Sequence, residues 1–130
     1  MSRADSKNRI KILLVDDYED ILFLLRENLK RVFDNIDTLS APTISVARQF
    51  LSEHKPDVVI GDYYLGIETG LSLLAEIEKS EQRPIFVLFS SETNLSVSKI
   101  KYPKFFFVRK PELKKITNIL AESNLGFVLK

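Results

Sequence analysis

Apolar residues in this chain form five short runs, separated by stretches in which apolar positions recur every three or four residues. Continuous apolar runs of this length are typical of strands buried on both faces, and the longer spacing is typical of amphipathic helices. The pattern predicts strands over residues 10–15, 36–40, 57–62, 84–89 and 104–108. It predicts helices over residues 17–33, 43–55, 71–80, 92–100 and 112–123.

Strands that alternate with helices predict a parallel sheet, because each helix carries the chain back to the same end. We therefore expect one three-layer α/β domain over residues 10–130, preceded by a polar, flexible tail over residues 1–9. Of the five predicted helices, the one over residues 92–100 has the weakest support from the sequence. It is rich in serine and asparagine and poor in apolar residues, so an atypical fourth helix is expected.

Polar residues stand where four of the predicted strands end. In a parallel sheet these carboxyl ends lie along one edge, which is where open α/β sheets place their ligands. The side chains expected to converge there are Asp16, Asp17, Asp62, Ser90 and Lys110.

This set of side chains suits an anionic phosphoryl group. Crowded carboxylates repel one another unless a cation compensates, and Mg²⁺ prefers such oxygen ligands together with a phosphate. Lysine offers a positive charge to a phosphate oxygen, serine offers a hydroxyl, and aspartate can act as a covalent nucleophile. Each residue taken alone also has a purely structural explanation, as a helix cap, a turn or a solvent-facing side chain.

Composition narrows the possible functions. The net charge of +1 gives no reason to expect a nucleic-acid or membrane partner, and the absence of cysteine rules out thiolate sites. There is one histidine, His54, around which any histidine-dependent site would have to be built. The amino terminus has no apolar signal region, and the apolar runs are too short to span a bilayer, so a cytoplasmic location is expected.

Four segments together resemble the receiver domain of two-component response regulators. They are residues Ile12–Asp17, Asp57–Asp62, Val87–Ser91 and Phe107–Pro111, and the resemblance runs from about Ile10 to the end of the chain. It implies a flavodoxin-like fold with a five-stranded parallel sheet in the order 2-1-3-4-5.

The resemblance also implies a phosphoacceptor and a metal site. Asp62 would accept a phosphoryl group from a histidine kinase or a histidine phosphotransfer protein. Asp17 would ligate Mg²⁺ directly, Asp16 mainly through water, and Tyr64 through its backbone carbonyl. The chain would then be a phosphoprotein with Mg²⁺ as its cofactor.

The remaining matched positions concern the response to phosphorylation. Ser90 corresponds to the switch hydroxyl that reaches the phosphoryl oxygen, and Lys110 to the lysine that pairs with the phosphate. Phe107 corresponds to the aromatic residue that turns inward on activation, and Gly70 to the glycine that opens the third helix.

The chain departs from the family pattern at several positions, among them Ser90 and Ser91, where the family more often has threonine and alanine or glycine. Gly66 occupies a position where the family often has proline, and the stretch over residues 92–104, part of the usual output surface, lacks its alanine- and glycine-rich pattern. We expect a stand-alone, non-enzymatic receiver that signals by contacting a downstream protein. One alternative is a pseudo-receiver that binds partners without phosphate. The other is a phosphohydrolase with an aspartate nucleophile, which would need Asp where Tyr18 stands.

Overall fold

Strands and helices alternate along the chain as the apolar pattern predicts, except that the element described between the last two strands is a 3₁₀ turn. The computed structural model describes residues 9–66, 68–92 and 97–130. A short antiparallel hairpin, which pairs Tyr64–Leu65 with Glu68–Thr69, precedes the third helix. The other elements are β1 (Ile10–Val15), α1 (Glu19–Val32), β2 (Ile36–Ala41), α2 (Ile44–His54), β3 (Val58–Gly61), α3 (Gly70–Glu78), β4 (Ile85–Ser90), a 3₁₀ turn (Val97–Lys99), β5 (Phe105–Arg109) and α4 (Leu113–Ala121).

The five strands form one parallel sheet in the order β2-β1-β3-β4-β5, which confirms the predicted topology. The strands are in register across the whole sheet, and one row of paired residues consists of Leu39, Leu13, Val59, Phe86 and Phe105. Because all strands run the same way, this register brings their carboxyl ends to a single edge.

Two apolar layers cover the two faces of the sheet. Successive strand residues point to opposite faces, so Ile12 and Leu14 of β1 face α1 and α4, whereas Leu13 and Val15 face α2 and α3. All four of these side chains are buried. The predicted three-layer architecture is therefore confirmed, and its core is built from strands buried on both faces.

Local signals set several element boundaries. Thr43 caps α2, because its side-chain oxygen accepts a hydrogen bond of 3.2 Å from the Val46 amide. The helix ends at His54, and Lys55 follows with a φ of 47°. Helix α1 begins at Glu19, two residues later than predicted, because extended Tyr18 donates its amide to the side chain of Asp16.

An atypical fourth helix is predicted over residues 92–100, and the described part of that range contains no regular α-helix. Glu92 is not helical, and Val97–Lys99 forms only a 3₁₀ turn. Residues 93–96 lie outside the described residues, as do residues 1–8 of the predicted amino-terminal tail. Beyond the turn the chain is anchored by Tyr102, which is buried and donates its hydroxyl to the Pro84 carbonyl.

The carboxyl-terminal residues pack against the end of α1. The ring of Phe127 lies 4.5 Å from the ring of Phe33, measured between centroids. The Val128 amide donates to the Asn35 side chain at 2.9 Å, and the Val128 carbonyl accepts from the Asp34 amide at 2.8 Å. Among the described helices, none combines the length and the hydropathy needed to cross a bilayer.

Candidate metal and phosphoryl site

Three predicted carboxylates converge at the carboxyl edge of the sheet. The pairing of β1 with β3 places Asp16 and Asp17 beside Asp62, and one oxygen from each lies within 4.8 Å of the others. Asp16 and Asp62 are buried, with 1% and 7% of their surface exposed, whereas Asp17 is open to solvent. The cluster therefore combines two sheltered carboxylates with one accessible from outside.

Lys110, which follows β5, places its ammonium group beside the two buried carboxylates. Its Nζ lies 3.0 Å from Asp16 Oδ2 and 3.4 Å from Asp62 Oδ2. The Lys110 amide donates to the Ser90 carbonyl at 3.0 Å, which extends the pairing of β4 and β5 to the edge where the carboxylates meet. The peptide bond between Lys110 and Pro111 is cis. An ammonium group between two buried carboxylates offsets part of their mutual repulsion.

Backbone amides orient the two buried carboxylates. Asp16 Oδ1 accepts from the Tyr18 amide at 2.9 Å, and Asp62 Oδ1 accepts from the Tyr63 amide at 2.7 Å. In each carboxylate the other oxygen faces Lys110. The two side chains are thus held with one oxygen turned towards the place where cationic or phosphoryl groups would lie.

The pKa of Asp16 is raised above its ordinary value of 3.8, chiefly because burial removes the carboxylate from water. The hydrogen bond from the Tyr18 amide and the ion pair with Lys110 act in the opposite direction, and the charge of Asp62 adds to the rise. The protein alone therefore compensates the Asp16 charge only in part. A divalent cation would supply the rest, so the donor set fits Mg²⁺.

The two predicted switch residues lie on neighbouring strands. Ser90 is 1% exposed, and its Oγ accepts a hydrogen bond of 3.2 Å from the Glu92 amide. Phe107 of β5 is partly buried against the apolar layer formed with α2 and α3. The roles of Ser90 and Phe107 as a switch stay predictions.

Tyr64, whose carbonyl is a predicted metal ligand, begins the hairpin that follows Asp62. Tyr64 is 54% exposed, and its ring meets the ring of Tyr63 edge-on at 4.8 Å between centroids. Its hydroxyl donates to Glu92 Oε2 at 2.9 Å, so a side-chain bridge links the segment after β3 to the segment after β4.

Gly70 packs directly against the backbone of Asp62, the predicted phosphoacceptor. Its amide donates to the Tyr63 carbonyl at 2.7 Å. A Cβ atom at Gly70 would lie only 2.3 Å from the Asp62 carbonyl oxygen, so a side chain there would collide with the loop. The chain therefore needs glycine at the first position of α3, as the resemblance implies.

Comparison with known proteins gives the family. The family described as the response regulator receiver domain matches residues 12–121. The chain belongs to this family. Response regulator protein PilR of Pseudomonas aeruginosa is 30% identical over 117 residues, which cover 88% of this chain and 26% of that protein. This receiver chain thus spans about a quarter of the length of that relative.

Solved receiver structures share the fold. The signal receiver domain of an HD domain-containing protein from Pseudomonas fluorescens is 25% identical, with a TM-score of 0.78 and coverage of 88% of this chain and 93% of that one. A response regulator receiver domain protein from Clostridium thermocellum is 24% identical, with a TM-score of 0.77 and coverage of 90% and 94%. Membership of the receiver family places the chain in phosphorelay signalling.

Several residues around the receiver site escaped the sequence prediction. The Tyr18 and Tyr63 amides donate from the backbone, and a backbone donor cannot be recognised from the type of residue that carries it. Glu92 was predicted only as the start of a helix, although its side chain reaches Tyr64. Its position two residues after Ser90, at a strand end, is the one signal that would have singled it out.

Proposed function

We propose that this receiver accepts a phosphoryl group on Asp62 from the phosphohistidine of a histidine kinase or a histidine phosphotransfer protein. The observation that carries the proposal is the Lys110 ammonium held between Asp16 and Asp62. In the transfer, the bond between phosphorus and the histidine nitrogen breaks as a bond forms between phosphorus and a carboxylate oxygen of Asp62. The histidine nitrogen keeps the electron pair of the broken bond.

The protein contributes positioning and charge neutralisation, which are the main requirements of phosphoryl transfer. The Tyr63 amide holds one oxygen of Asp62, so the other oxygen, which faces Lys110, is the one that would approach phosphorus. Lys110 lies within reach of that oxygen and would pair with the negative charge of the transferred group. Ser90, at the end of the adjacent strand, would donate its hydroxyl to a phosphoryl oxygen.

Mg²⁺ would be held by Asp17, by Asp62 and by the backbone carbonyl of Tyr64, with Asp16 acting mainly through water. The cluster of three carboxylates and the raised pKa of Asp16 support this assignment. When bound, the cation supplies neutralisation of charge on the phosphoryl oxygens.

The output we propose is a change in protein contacts rather than catalysis on a separate substrate. Beyond its own phosphorylation and dephosphorylation the domain would catalyse no reaction. Ser90 and Phe107 would carry the change to the surface formed by β5 and the segment before it, where a downstream protein would bind. Because a kinase draws its phosphoryl group from ATP, we place this exchange in the cytoplasm.

Tyrosine fluorescence gives a direct test. The chain has four tyrosines and no tryptophan, and Tyr18, Tyr63 and Tyr64 adjoin the site. Beryllofluoride, a phosphoryl mimic, should change the fluorescence only when Mg²⁺ is present. Replacement of the acceptor, Asp62→Asn, should abolish the change.

The matched control is Asp57→Asn, at the opposite end of the third predicted strand. Asp57 accepts a hydrogen bond of 2.9 Å from the Lys11 amide, far from the carboxylate cluster, so the response should persist. A folded wild-type protein that shows no Mg²⁺-dependent response would refute the proposal and favour a pseudo-receiver. Steady-state turnover of phosphate esters would favour a phosphohydrolase instead.

A further inference from the structure

Arg48, a partly exposed residue of α2, forms ion pairs with two other elements. Its guanidinium contacts Glu68 of the hairpin through two bonds, from Nη2 to Oε1 at 2.5 Å and from Nη1 to Oε2 at 3.2 Å. Its Nε contacts Glu76 Oε2 of α3 at 2.5 Å. One arginine therefore ties the segment that follows the phosphoacceptor to two helices.

The hairpin needs such contacts because it is very short. Each of its strands has two residues, and it pairs Tyr64 with Thr69 and Leu65 with Glu68. An isolated two-stranded hairpin is at best marginally stable in water. Among the described residues, the contacts that hold this one in place include the buried side chain of Leu65, the hydrogen bond from Tyr64 to Glu92, and the pairing of Glu68 with Arg48.

We propose that Arg48 is a positioning residue for the metal site, acting through Glu68 to hold the hairpin in the arrangement that presents the Tyr64 carbonyl. The inference rests on the proposed function, in which that carbonyl is a metal ligand. The apparent affinity of a ligand falls in proportion to the fraction of protein in the binding-competent arrangement. An ion pair that raises this fraction therefore strengthens Mg²⁺ binding without touching the ion.

The geometry and charge of the pair favour this role. A planar guanidinium that meets a carboxylate through two bonds fixes orientation as well as distance. The hydrogen bond from Arg48 lowers the pKa of Glu68, which is the direction expected for a carboxylate stabilised by a cationic partner. Both side chains are 38% exposed, so solvent screens the pair and its effect should be modest.

The central experiment compares Glu68→Gln with Glu76→Gln. Both variants remove one carboxylate partner of Arg48, but only Glu68 lies on the hairpin. In Mg²⁺ titrations followed by tyrosine fluorescence, Glu68→Gln should bind about twofold to fivefold more weakly than wild type, the range expected for a partly exposed ion pair. Glu76→Gln should bind as tightly as wild type.

A double-mutant cycle identifies the pair that acts. Arg48→Gln should weaken Mg²⁺ binding as much as Glu68→Gln does. The double variant should be no weaker than either single variant, because both substitutions remove the same contact. Effects that simply add would show that the two residues act separately and would overturn the inference.

Amide hydrogen exchange of the metal-free protein provides a second readout. Exchange in the hairpin and at the Gly70 amide should be faster in Glu68→Gln and unchanged in Glu76→Gln. If Glu68→Gln binds Mg²⁺ as tightly as wild type, the inference about Arg48 is overturned, while the proposed function stands. The same holds if Glu68→Gln and Glu76→Gln weaken Mg²⁺ binding equally. A wild-type protein that binds no Mg²⁺ would overturn the inference together with the proposed function.

Discussion

Replacement of Gly70 by alanine sets two physical effects against each other. Gly70 begins α3, and alanine is a better helix former than glycine by up to about 1 kcal/mol. Helix propensity alone therefore predicts that Gly70→Ala stabilises the protein. The tertiary structure predicts the opposite, because the new methyl group would lie 2.3 Å from the Asp62 carbonyl oxygen and 3.2 Å from Leu88 Cδ1.

The steric effect should dominate. Forced insertion of a methyl group into a packed site costs about 1–3 kcal/mol, and a collision with backbone belongs at the upper end because it cannot be relieved by a rotamer change. After the gain in propensity is subtracted, we expect the free energy of unfolding to fall by about 2 kcal/mol. The displaced Asp62 backbone should also weaken the response to Mg²⁺ and beryllofluoride.

Urea unfolding at neutral pH measures the first effect, and tyrosine fluorescence measures the second. Gly126→Ala is the matched control, since that glycine has a φ of +89° but no atom within 4 Å of the position that a methyl group would take. It should lose about 1 kcal/mol for the left-handed backbone and leave the Mg²⁺ response intact. The steric argument fails if Gly70→Ala is as stable as the wild type or more stable.

Three further substitutions test other parts of the structure. Burial raises the pKa of Asp16 in the folded protein above its ordinary value of 3.8. The protonated carboxyl group therefore favours folding below pH 3.8, and this contribution to the free energy of unfolding is lost as pH rises through the raised pKa. Metal-free Asp16→Asn should therefore be more stable than wild type in urea at pH 7, by a margin that shrinks towards pH 3.8; a less stable variant would contradict this. Phe127→Ala should lower the free energy of unfolding by about 2 kcal/mol, because it removes the contact with the ring of Phe33. The control, Leu129→Ala, should change it by no more than about 0.5 kcal/mol, because Leu129 is 62% exposed. Equal effects of the two substitutions would rule out the packing argument. Ser90→Ala should weaken beryllofluoride binding about twofold to tenfold, as expected for the loss of one hydrogen bond. Ser90→Thr keeps the hydroxyl group and should bind beryllofluoride as wild type does. Unchanged binding by the alanine variant would exclude a contact between the Ser90 hydroxyl and the phosphoryl mimic.

The sheet and the candidate site were predictable because their signals are local. A continuous apolar run such as Val58–Ile60 predicts a buried strand wherever it lies, and the alternation with helices predicts parallel pairing. Once the strands are parallel, Asp16, Asp62 and Lys110 must meet at one edge, since each ends or follows a strand. Most element boundaries differed from prediction by only one or two residues, because helix and strand ends depend on caps and side-chain contacts.

Other features depend on contacts between segments that are distant in sequence. Arg48 is separated from Glu68 by 20 positions and from Glu76 by 28. At its partly exposed position on α2, other charged residues would fit the amphipathic pattern equally well. Residues 92–100 showed weak helical spacing, but their described part formed only a short turn. The sequence by itself determined which residues form the sheet and which side chains reach its carboxyl edge, because strand burial and strand direction are properties of local pattern. Only the tertiary structure decided how the hairpin after Asp62 is held, because that depends on which helix surfaces the packed sheet brings beside it.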